Sequence, residues 1–148
     1  MTPDTASLKI ERTLNATPEK VWRIFSNPLK FSEWLCTPCL GKTDKPASFN
    51  FRVGGLYEVP MLWQTGDVIQ RGKFLEIVEN QKLVFEFYWE GTPEYDHIGD
   101  TVVTLELEPD GDQTKFTLTH EGFTVKKAAE EHTMGWGECV DALEKTFA

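Results

Sequence analysis

The stretch VIQRGKFLEIVENQKLVFEFYWE, residues 68–90, decides the fold class of this chain. Apolar and polar residues alternate at a period of two in both of its halves, which is typical of half-buried β-strands. The polar tripeptide Glu79-Asn80-Gln81 lies between the halves and has the composition of a turn. Because connections this short join antiparallel neighbours, the stretch predicts a β-hairpin with strands over 68–78 and 83–90.

The same alternation recurs on both sides of this hairpin. Turn signals such as Gly54-Gly55 and Asp110-Gly111-Asp112 separate the alternating segments. No linker, repeat or low-complexity run interrupts the series, which indicates one antiparallel sheet. The further strands are predicted over residues 8–14, 49–53, 56–62, 101–108 and 114–121.

Two short helices are predicted between the first strand and the second. Thr17 is placed to cap the first helix, and Pro18 occupies its first position, where a missing N–H is harmless. Asn27-Pro28 breaks this helix, and a second short helix is predicted over 29–35. Residues 36–48 are polar and contain proline, so an irregular loop is expected there.

The C-terminal segment changes its period. From Ala129 onward, apolar residues recur in steps of three and four, which predicts a helix of about five turns. Gly135 and Gly137 lie inside it, although a glycine there costs roughly 1 kcal/mol relative to alanine. Either another backbone approaches closely at these glycines, or they leave room for a ligand. The predicted inward stripe contains His132, Trp136, Cys139, Val140, Leu143 and Phe147.

Four ordered blocks narrow this α+β arrangement to one family. The blocks are 17–28 with 31–34, 51–57 with its arginine and double glycine, 72–77 with 83–85, and 114–123 with Gly135-Trp136. Over residues 8–147 they resemble the activator of heat-shock-protein-90 ATPase homologue-like family, within the START/Bet v 1-like (SRPBCC) superfamily. The resemblance implies a single domain over 1–148 with the helix-grip (Bet v 1-like) fold. In that fold a seven-stranded curved antiparallel sheet surrounds a long C-terminal helix, and two short helices lie between strands 1 and 2.

The resemblance also implies a range of activities. Relatives carry hydrophobic ligands between sheet and helix, others remodel polyketides, and one eukaryotic branch stimulates a chaperone ATPase. Because function depends on sites built upon a fold, the fold transfers more securely than any of these activities.

The strand rows and the C-terminal helix together predict an apolar pocket. If the rows line the concave face of the sheet, they meet the helix around Trp136, and Trp34 lies near the mouth. A mostly apolar cavity with few polar groups is the usual form of a small-molecule site, and a fully packed core is the alternative. The candidate ligand-binding residues are Trp34, Phe51, Tyr57, Met61, Phe85, Phe87, Trp89, Val103, Leu105, Phe116, Leu118, His120, His132, Trp136 and Val140.

His120 and His132 bring titratable groups to this otherwise apolar set. As a pair they can orient a ligand carbonyl or act as acid and base near neutral pH. The alternative is that each makes one satisfying hydrogen bond at the edge of the core, since no positioned nucleophile accompanies them. Metal ligation is disfavoured, because neither a His-Glu-x-x-His motif nor a suitable carboxylate spacing completes a site.

Cys36-Thr37-Pro38-Cys39 is the sharpest short motif in the chain. A Cys-x-x-Cys pair can serve in redox chemistry or form half of a zinc site. Here the pair follows a helix instead of preceding one, and no second pair completes four sulfur ligands. Cys139 is expected to be isolated on the terminal helix. A redox or metal role is therefore disfavoured.

Composition and charge exclude several further classes. The net charge of −9, without a stripe of Lys and Arg, argues against nucleic-acid binding and against an acidic membrane surface. No apolar run suits a signal peptide or a bilayer span, and three cysteines do not make a disulfide framework, so a cytoplasmic location is expected. Phosphate-cradling loops and nucleophile elbows are missing. Glu58, Glu76 and Glu86 are either buried acids or members of an outward polar face, which their alternation fits at least as well.

Three functions remain as hypotheses. The first is non-catalytic binding of a small hydrophobic molecule, lipid-like or aromatic, by a monomer or homodimer without cofactor or metal. The second, suggested by the family resemblance, is a co-chaperone-like interaction domain that stimulates a heat-shock-protein-90 ATPase. The third is a cyclase- or hydrolase-type enzyme that uses pocket polar groups such as His120. The sequence favours the first.

Overall fold

Seven strands form one antiparallel sheet in the computed structural model, which describes residues 5–37, 39, 46–64, 66–95 and 97–148. The strands are β1 (Ala6–Leu14), β2 (Ser48–Phe49), β3 (Leu56–Trp63), β4 (Gly66–Val78), β5 (Lys82–Glu90), β6 (Thr101–Asp110) and β7 (Gln113–Phe123). Their order across the sheet is β1-β7-β6-β5-β4-β3-β2. The helices of the described ranges are α1 (Pro18–Phe25), α2 (Pro28–Leu35) and α3 (Lys126–Thr146), and Pro93–Tyr95 forms a 3₁₀ turn.

The predicted inner and outer faces of the sheet are confirmed. Along β7, Phe116 and Leu118 are fully buried, whereas the residues between and beside them are partly or fully exposed. The glutamates expected on the outer face lie there, with Glu58 and Glu76 exposed and Glu86 half-buried. Strand order, curvature and the two helices after β1 match the predicted helix-grip fold.

The predicted strand over 49–53 is wrong beyond its first residue, because β2 ends at Phe49. A tight turn replaces the rest, and in it the N–H of Gly55 donates to the carbonyl oxygen of Arg52 at 2.8 Å. Gly54 in this turn has a φ of +83°, in the left-handed region that favours glycine. The double glycine therefore stops the strand and redirects the chain into β3.

Pro18 is the first residue of α1, as predicted, and Pro28, predicted only as part of the break between the helices, is the first residue of α2. Thr17 is the N-cap residue of α1, as predicted, but its hydroxyl makes no capping hydrogen bond, and its carbonyl accepts from the N–H groups of the first turn. Asn27, which the sequence predicts only to end the first helix, is the residue whose side chain caps α2. Its Oδ1 accepts from the N–H of Lys30 at 3.1 Å, which satisfies one free donor of α2.

The two short helices close part of the space between the sheet and α3. Phe31 inserts from α2 and is 0% exposed. Its ring centroid lies 5.9 Å from that of Tyr57 and 5.8 Å from that of Phe85. The indole N–H of Trp34 donates to the carbonyl oxygen of Cys139 at 2.8 Å, which fixes α2 against α3.

The terminal helix α3 has the predicted inward stripe except for Phe147, which follows the helix as its C-cap residue and is half-buried. Its buried side chains include His132, Trp136, Cys139, Val140 and Leu143, while most of its other residues are partly or fully exposed. None of the described helices combines the length and the apolar character that a membrane span requires.

Candidate ligand-binding site

A cavity of about 540 Å³ extends from the surface into the space between the sheet and α3. It lies between α3 and the last residues of β3 and β5, and the 3₁₀ turn with the residues before it forms a further wall. Its lining is mostly apolar with a few polar groups, as small-molecule sites usually are. The apolar lining includes Leu35, Met61, Trp63, Phe87, Trp89, Tyr95 and Trp136. The polar lining includes Gln64, Thr92, Glu94, Glu131 and His132.

Three adjoining rings, Trp63, Trp89 and Tyr95, form part of the cavity wall, and we call them the aromatic rim. The ring centroids of Trp63 and Trp89 are 4.7 Å apart. The Tyr95 centroid lies 5.9 Å from that of Trp63 and 6.0 Å from that of Trp89. All three residues are only half-buried, although large rings gain much from burial. The rim therefore marks the place where the cavity reaches the surface.

Trp136 lines the cavity from α3, and His120 holds its indole ring. Trp136 Nε1–H donates to His120 Nδ1 at 2.9 Å, and both side chains are buried. An indole N–H is only a donor, so Nδ1 accepts and the proton of neutral His120 is on Nε2. Burial and, to a lesser extent, the charge of His132 lower the pKa of His120 well below its usual range. His120 is thus a neutral support behind the cavity wall.

His132 holds the second indole of the wall in the same way. Trp89 Nε1–H donates to His132 Nε2 at 2.9 Å. His132 Nδ1 therefore carries the proton and donates it to the carbonyl oxygen of Ala128 at 2.7 Å. Burial lowers the pKa of His132, against the opposing effects of that carbonyl and of the Glu131 carboxylate. Both ring nitrogens are occupied, so His132 has no free nitrogen for a ligand.

Tyr95 and Glu131 tie the 3₁₀ turn to α3 at the edge of the cavity. The Tyr95 hydroxyl donates to Glu131 Oε2 at 2.6 Å. Burial and this hydrogen bond raise the pKa of Tyr95 above its usual range, so it stays protonated as the donor. The bond holds one ring of the aromatic rim in place and leaves the carboxylate beside the cavity.

Gly135 lies on the cavity wall, and it decides between the two explanations offered for the glycines of α3. A Cβ built on Gly135 or on Gly137 would meet no atom within 4 Å outside its own part of the helix. Close approach of another backbone is therefore the wrong explanation. At Gly135 the space opens into the cavity, whereas Gly137 does not line it.

The structure divides the predicted ligand-binding residues into two groups. Those that line the cavity are Met61, Phe87, Trp89, His132 and Trp136. Those that lie elsewhere in the interior are Trp34, Phe51, Tyr57, Phe85, Val103, Leu105, Phe116, Leu118, His120 and Val140. For the second group, contact with a ligand stays a prediction.

Trp34 and His120, two members of that second group, both contact the lining residue Trp136. The Trp34 ring centroid lies 5.6 Å from that of Trp136, so Trp34 packs behind the wall and is not at the mouth. His120 does not line the cavity, but it supports three lining residues: it accepts the hydrogen bond of Trp136, and its ring centroid lies 4.6 Å from that of Phe87 and 5.6 Å from that of His132. His120 makes the expected single hydrogen bond, but it lies in the core and not at its edge, and its buried Nε2 has no hydrogen-bond partner among the described residues.

Several lining residues escaped the sequence analysis. Trp63 continues the period-two row of Met61 by one more step, so that alternation was the signal that could have found it. Tyr95, Glu94 and Glu131 carried no such signal. The 3₁₀ turn and the first turns of α3 meet only through tertiary folding, which periodicity does not report.

The expectation that Cys139 is isolated is wrong. Its thiol donates to the carbonyl oxygen of Leu35 at 3.8 Å, beside the Cys-x-x-Cys segment. Cys36 and Cys39 share a turn closed by the Cys39 N–H and the Cys36 carbonyl at 2.9 Å. A thiol hydrogen bond between them raises the pKa of Cys36 and lowers the pKa of Cys39. Pro38 of the motif lies outside the described residues, which contain no group of three or more metal-ligating side chains.

Comparison with known proteins identifies the relatives of this chain. The family model described as "Activator of Hsp90 ATPase homolog 1-like protein" matches residues 15–148. Curated proteins give no match. The chain is similar to protein CV1439 from Chromobacterium violaceum, with a TM-score of 0.81 and 25% identity over 95% of this chain and 96% of that one. It is also similar to the Mll3558 protein from Rhizobium loti, with a TM-score of 0.74 and 29% identity over 95% and 97%.

Proposed function

Because the chain belongs to the Activator of Hsp90 ATPase homolog 1-like family and has its helix-grip fold, we propose that it binds one small hydrophobic molecule between the sheet and α3. In this role the protein is a non-catalytic carrier or sensor. The observation that carries the proposal is the cavity of about 540 Å³ behind the aromatic rim. Ligand sites commonly have volumes of roughly 300–1,000 Å³, so this one suits a molecule of drug-like size.

The chemistry of the cavity wall supports an apolar ligand. The indole N–H groups of Trp89 and Trp136 are both engaged in hydrogen bonds, that of Trp89 to His132 in the wall and that of Trp136 to His120 behind it. What these two residues offer to a ligand is therefore aromatic carbon surface. Burial of such surface stabilises a complex by about 25 cal/mol per Å² of apolar area, before the losses of freedom on binding are subtracted.

The same geometry favours binding over acid–base chemistry. A general base must reach the proton that it abstracts, and its pKa should lie near the working pH. His120 lies behind Trp136, and His132 has both nitrogens engaged. The Cys139 thiol, which touches the cavity, is held protonated because burial raises its pKa to about 12. The co-chaperone alternative rests on the family name alone.

The test is a titration with phenylnaphthylamine, a neutral dye whose emission rises and shifts to the blue in apolar sites. The wild-type protein is expected to bind it with saturation. Gly135→Leu is expected to weaken binding roughly tenfold, which corresponds to about 1.4 kcal/mol, because the leucine side chain occupies space that the dye would otherwise fill. Helix stability does not suffer, since leucine is a better helix former than glycine.

Gly137→Leu is the matched control. It makes the same substitution two residues along α3, at a position that has open space and does not line the cavity. Its dye affinity is expected to equal that of the wild type. Absence of dye binding by the folded wild-type protein, or equal losses in both variants, would contradict the proposal.

A further inference from the structure

The described lining of the cavity is acidic. It contains the carboxylates of Glu94 and Glu131, and no lysine or arginine occurs among the lining residues of the described ranges. His132 does not compensate for them, because burial lowers its pKa and keeps it neutral. A ligand that enters past the aromatic rim therefore meets negative charge and no positive side chain from this part of the chain.

The charge of Glu131 acts directly at the cavity wall. Its carboxylate is fixed by the Tyr95 hydroxyl at 2.6 Å, and Glu131 is half-buried. Its charge raises the pKa of the adjacent His132, in opposition to burial, so the field of this carboxylate reaches a lining residue. Screening by water is weaker here than at a fully exposed site.

Neither lining carboxylate has a salt-bridge partner among the described residues. The nearby Glu90 does have one, since its Oε2 lies 3.0 Å from Arg71 Nη1 on the outer side of the hairpin. None of the ion pairs of the described ranges includes Glu94 or Glu131. These two charges are available to a ligand.

The aromatic rim also favours a positively charged ligand. Trp63, Trp89 and Tyr95 are partly exposed beside these carboxylates. The face of an aromatic ring carries negative potential and attracts organic cations, most strongly in tryptophan. The head group of a fatty carboxylate would meet repulsion from both features, whereas an ammonium head group would meet attraction from both.

We propose that the ligand is a hydrophobic organic cation, an amine or quaternary ammonium compound, whose head group lies at the aromatic rim beside Glu131 and whose apolar part fills the cavity. This inference rests on the proposed function, because it assigns the ligand class of the same site. It makes carboxylic acids the disfavoured class of lipid-like ligand.

The test compares three probes that share a ten-carbon chain and differ in the head group. Decyltrimethylammonium, decanol and decanoate each displace bound phenylnaphthylamine, below their micelle-forming concentrations. The cation is expected to bind about fivefold or more tightly than the alcohol, and decanoate more weakly than the alcohol. Raising the salt concentration to about 0.5 M should shrink this preference, because exposed charges are then screened.

The variant Glu131→Gln tests how much the negative charge of Glu131 contributes to the preference for the cation. Glutamine keeps a carbonyl oxygen that accepts from Tyr95, so the rim stays held while the negative charge is removed. The preference for the cation over decanol is expected to fall about threefold to tenfold. Glu130→Gln, an exposed neighbour that does not line the cavity, is the control and should leave the preference unchanged.

The outcomes separate the two proposals. If the dye binds but decanol or decanoate displaces it as well as the cation does, the ligand class is overturned and the proposed function stands. An unchanged preference in Glu131→Gln also overturns the assignment of the head group. If the dye and all three probes fail to bind the folded protein, both proposals fall.

Discussion

β3 and β5 carry aromatic rings at both of their ends, yet the two ends are packed very differently. At one end Phe31, Tyr57, Phe74 and Phe85 are 0–1% exposed, and we call this set the closed end. At the other end the half-buried aromatic rim and Trp136 surround the cavity, and we call this the cavity end. Both ends contain a similar number of aromatic rings, so aromatic content alone does not predict a cavity.

The difference lies in the element that covers each end. At the closed end α2 inserts Phe31, whose ring centroid lies 5.4 Å from Phe49 and less than 6 Å from two further rings. At the cavity end α3 presents Gly135, which has no side chain to insert. A filled or open interior is thus decided by single side chains of the covering helices.

The largest expected effect comes from truncating a ring at the closed end. Phe31→Ala removes a side chain that is 0% exposed, and such truncations lower the free energy of unfolding by about 3–5 kcal/mol. Trp63→Ala, at the half-buried cavity end, is expected to lower it by about 1–2 kcal/mol. Urea unfolding followed by circular dichroism measures both values.

Dye binding should rank these two variants in the opposite order. Trp63→Ala removes a wall of the cavity and is expected to weaken phenylnaphthylamine binding, whereas folded Phe31→Ala should keep an affinity close to that of the wild type. If Trp63→Ala were the more destabilising variant, or Phe31→Ala the weaker binder, the division into two ends would be wrong.

The second prediction concerns acid, because His120 and His132 both belong to the cavity end. Burial depresses the pKa of each below the ordinary value of 6.5. Below about pH 6.5 these two histidines therefore bind protons in the unfolded chain but not in the folded one. Stability is fully present above that pH and falls as the pH drops, by up to about 1.4 kcal/mol per pH unit for each histidine.

His120→Asn separates this effect from the titration of carboxylates. The Asn Oδ1 can accept from Trp136 in place of Nδ1, and asparagine does not titrate. We expect the variant to be less stable at pH 7.5 but to lose less stability between pH 6.5 and pH 5 than the wild type does. Parallel stability curves, measured by urea unfolding across this range, would show that His120 does not cause the acid sensitivity.

The contrast between the two ends also explains what the sequence could predict. Period-two alternation reports which side chains point inward, so the rows through Tyr57, Phe85 and Phe116 are confirmed as buried. It does not report how far α3 stands from the sheet. The approach of Glu131 to Tyr95, and of Cys139 to the Cys-x-x-Cys turn, depends on packing between segments far apart in sequence.

The cavity itself was predicted only as one of two alternatives, for the same reason. An apolar row fits a packed core and a ligand cavity equally well, and the volume follows from the covering element. Gly135 was the informative residue, because its unfavourable helix propensity had to be offset by another advantage. Gly137 is equally unfavourable within a helix but does not line the cavity, so helix propensity alone could not locate the site.

The smallest expected effect is a gain in stability. Gly135→Ala adds one methyl group that meets no atom within 4 Å outside its own part of the helix, and alanine favours the helix over glycine by about 1 kcal/mol. The melting temperature should therefore rise, as it should for Gly137→Ala, whereas only Gly135→Ala should also weaken dye binding. The same methyl at Gly72, beside the closed end, would collide with the Glu86 carbonyl oxygen and crowd the Tyr57 ring, so Gly72→Ala should lower the melting temperature. A fall in melting temperature for Gly135→Ala would mean that the space beside α3 is already filled, and with it the distinction between a packed end and an open one would be lost.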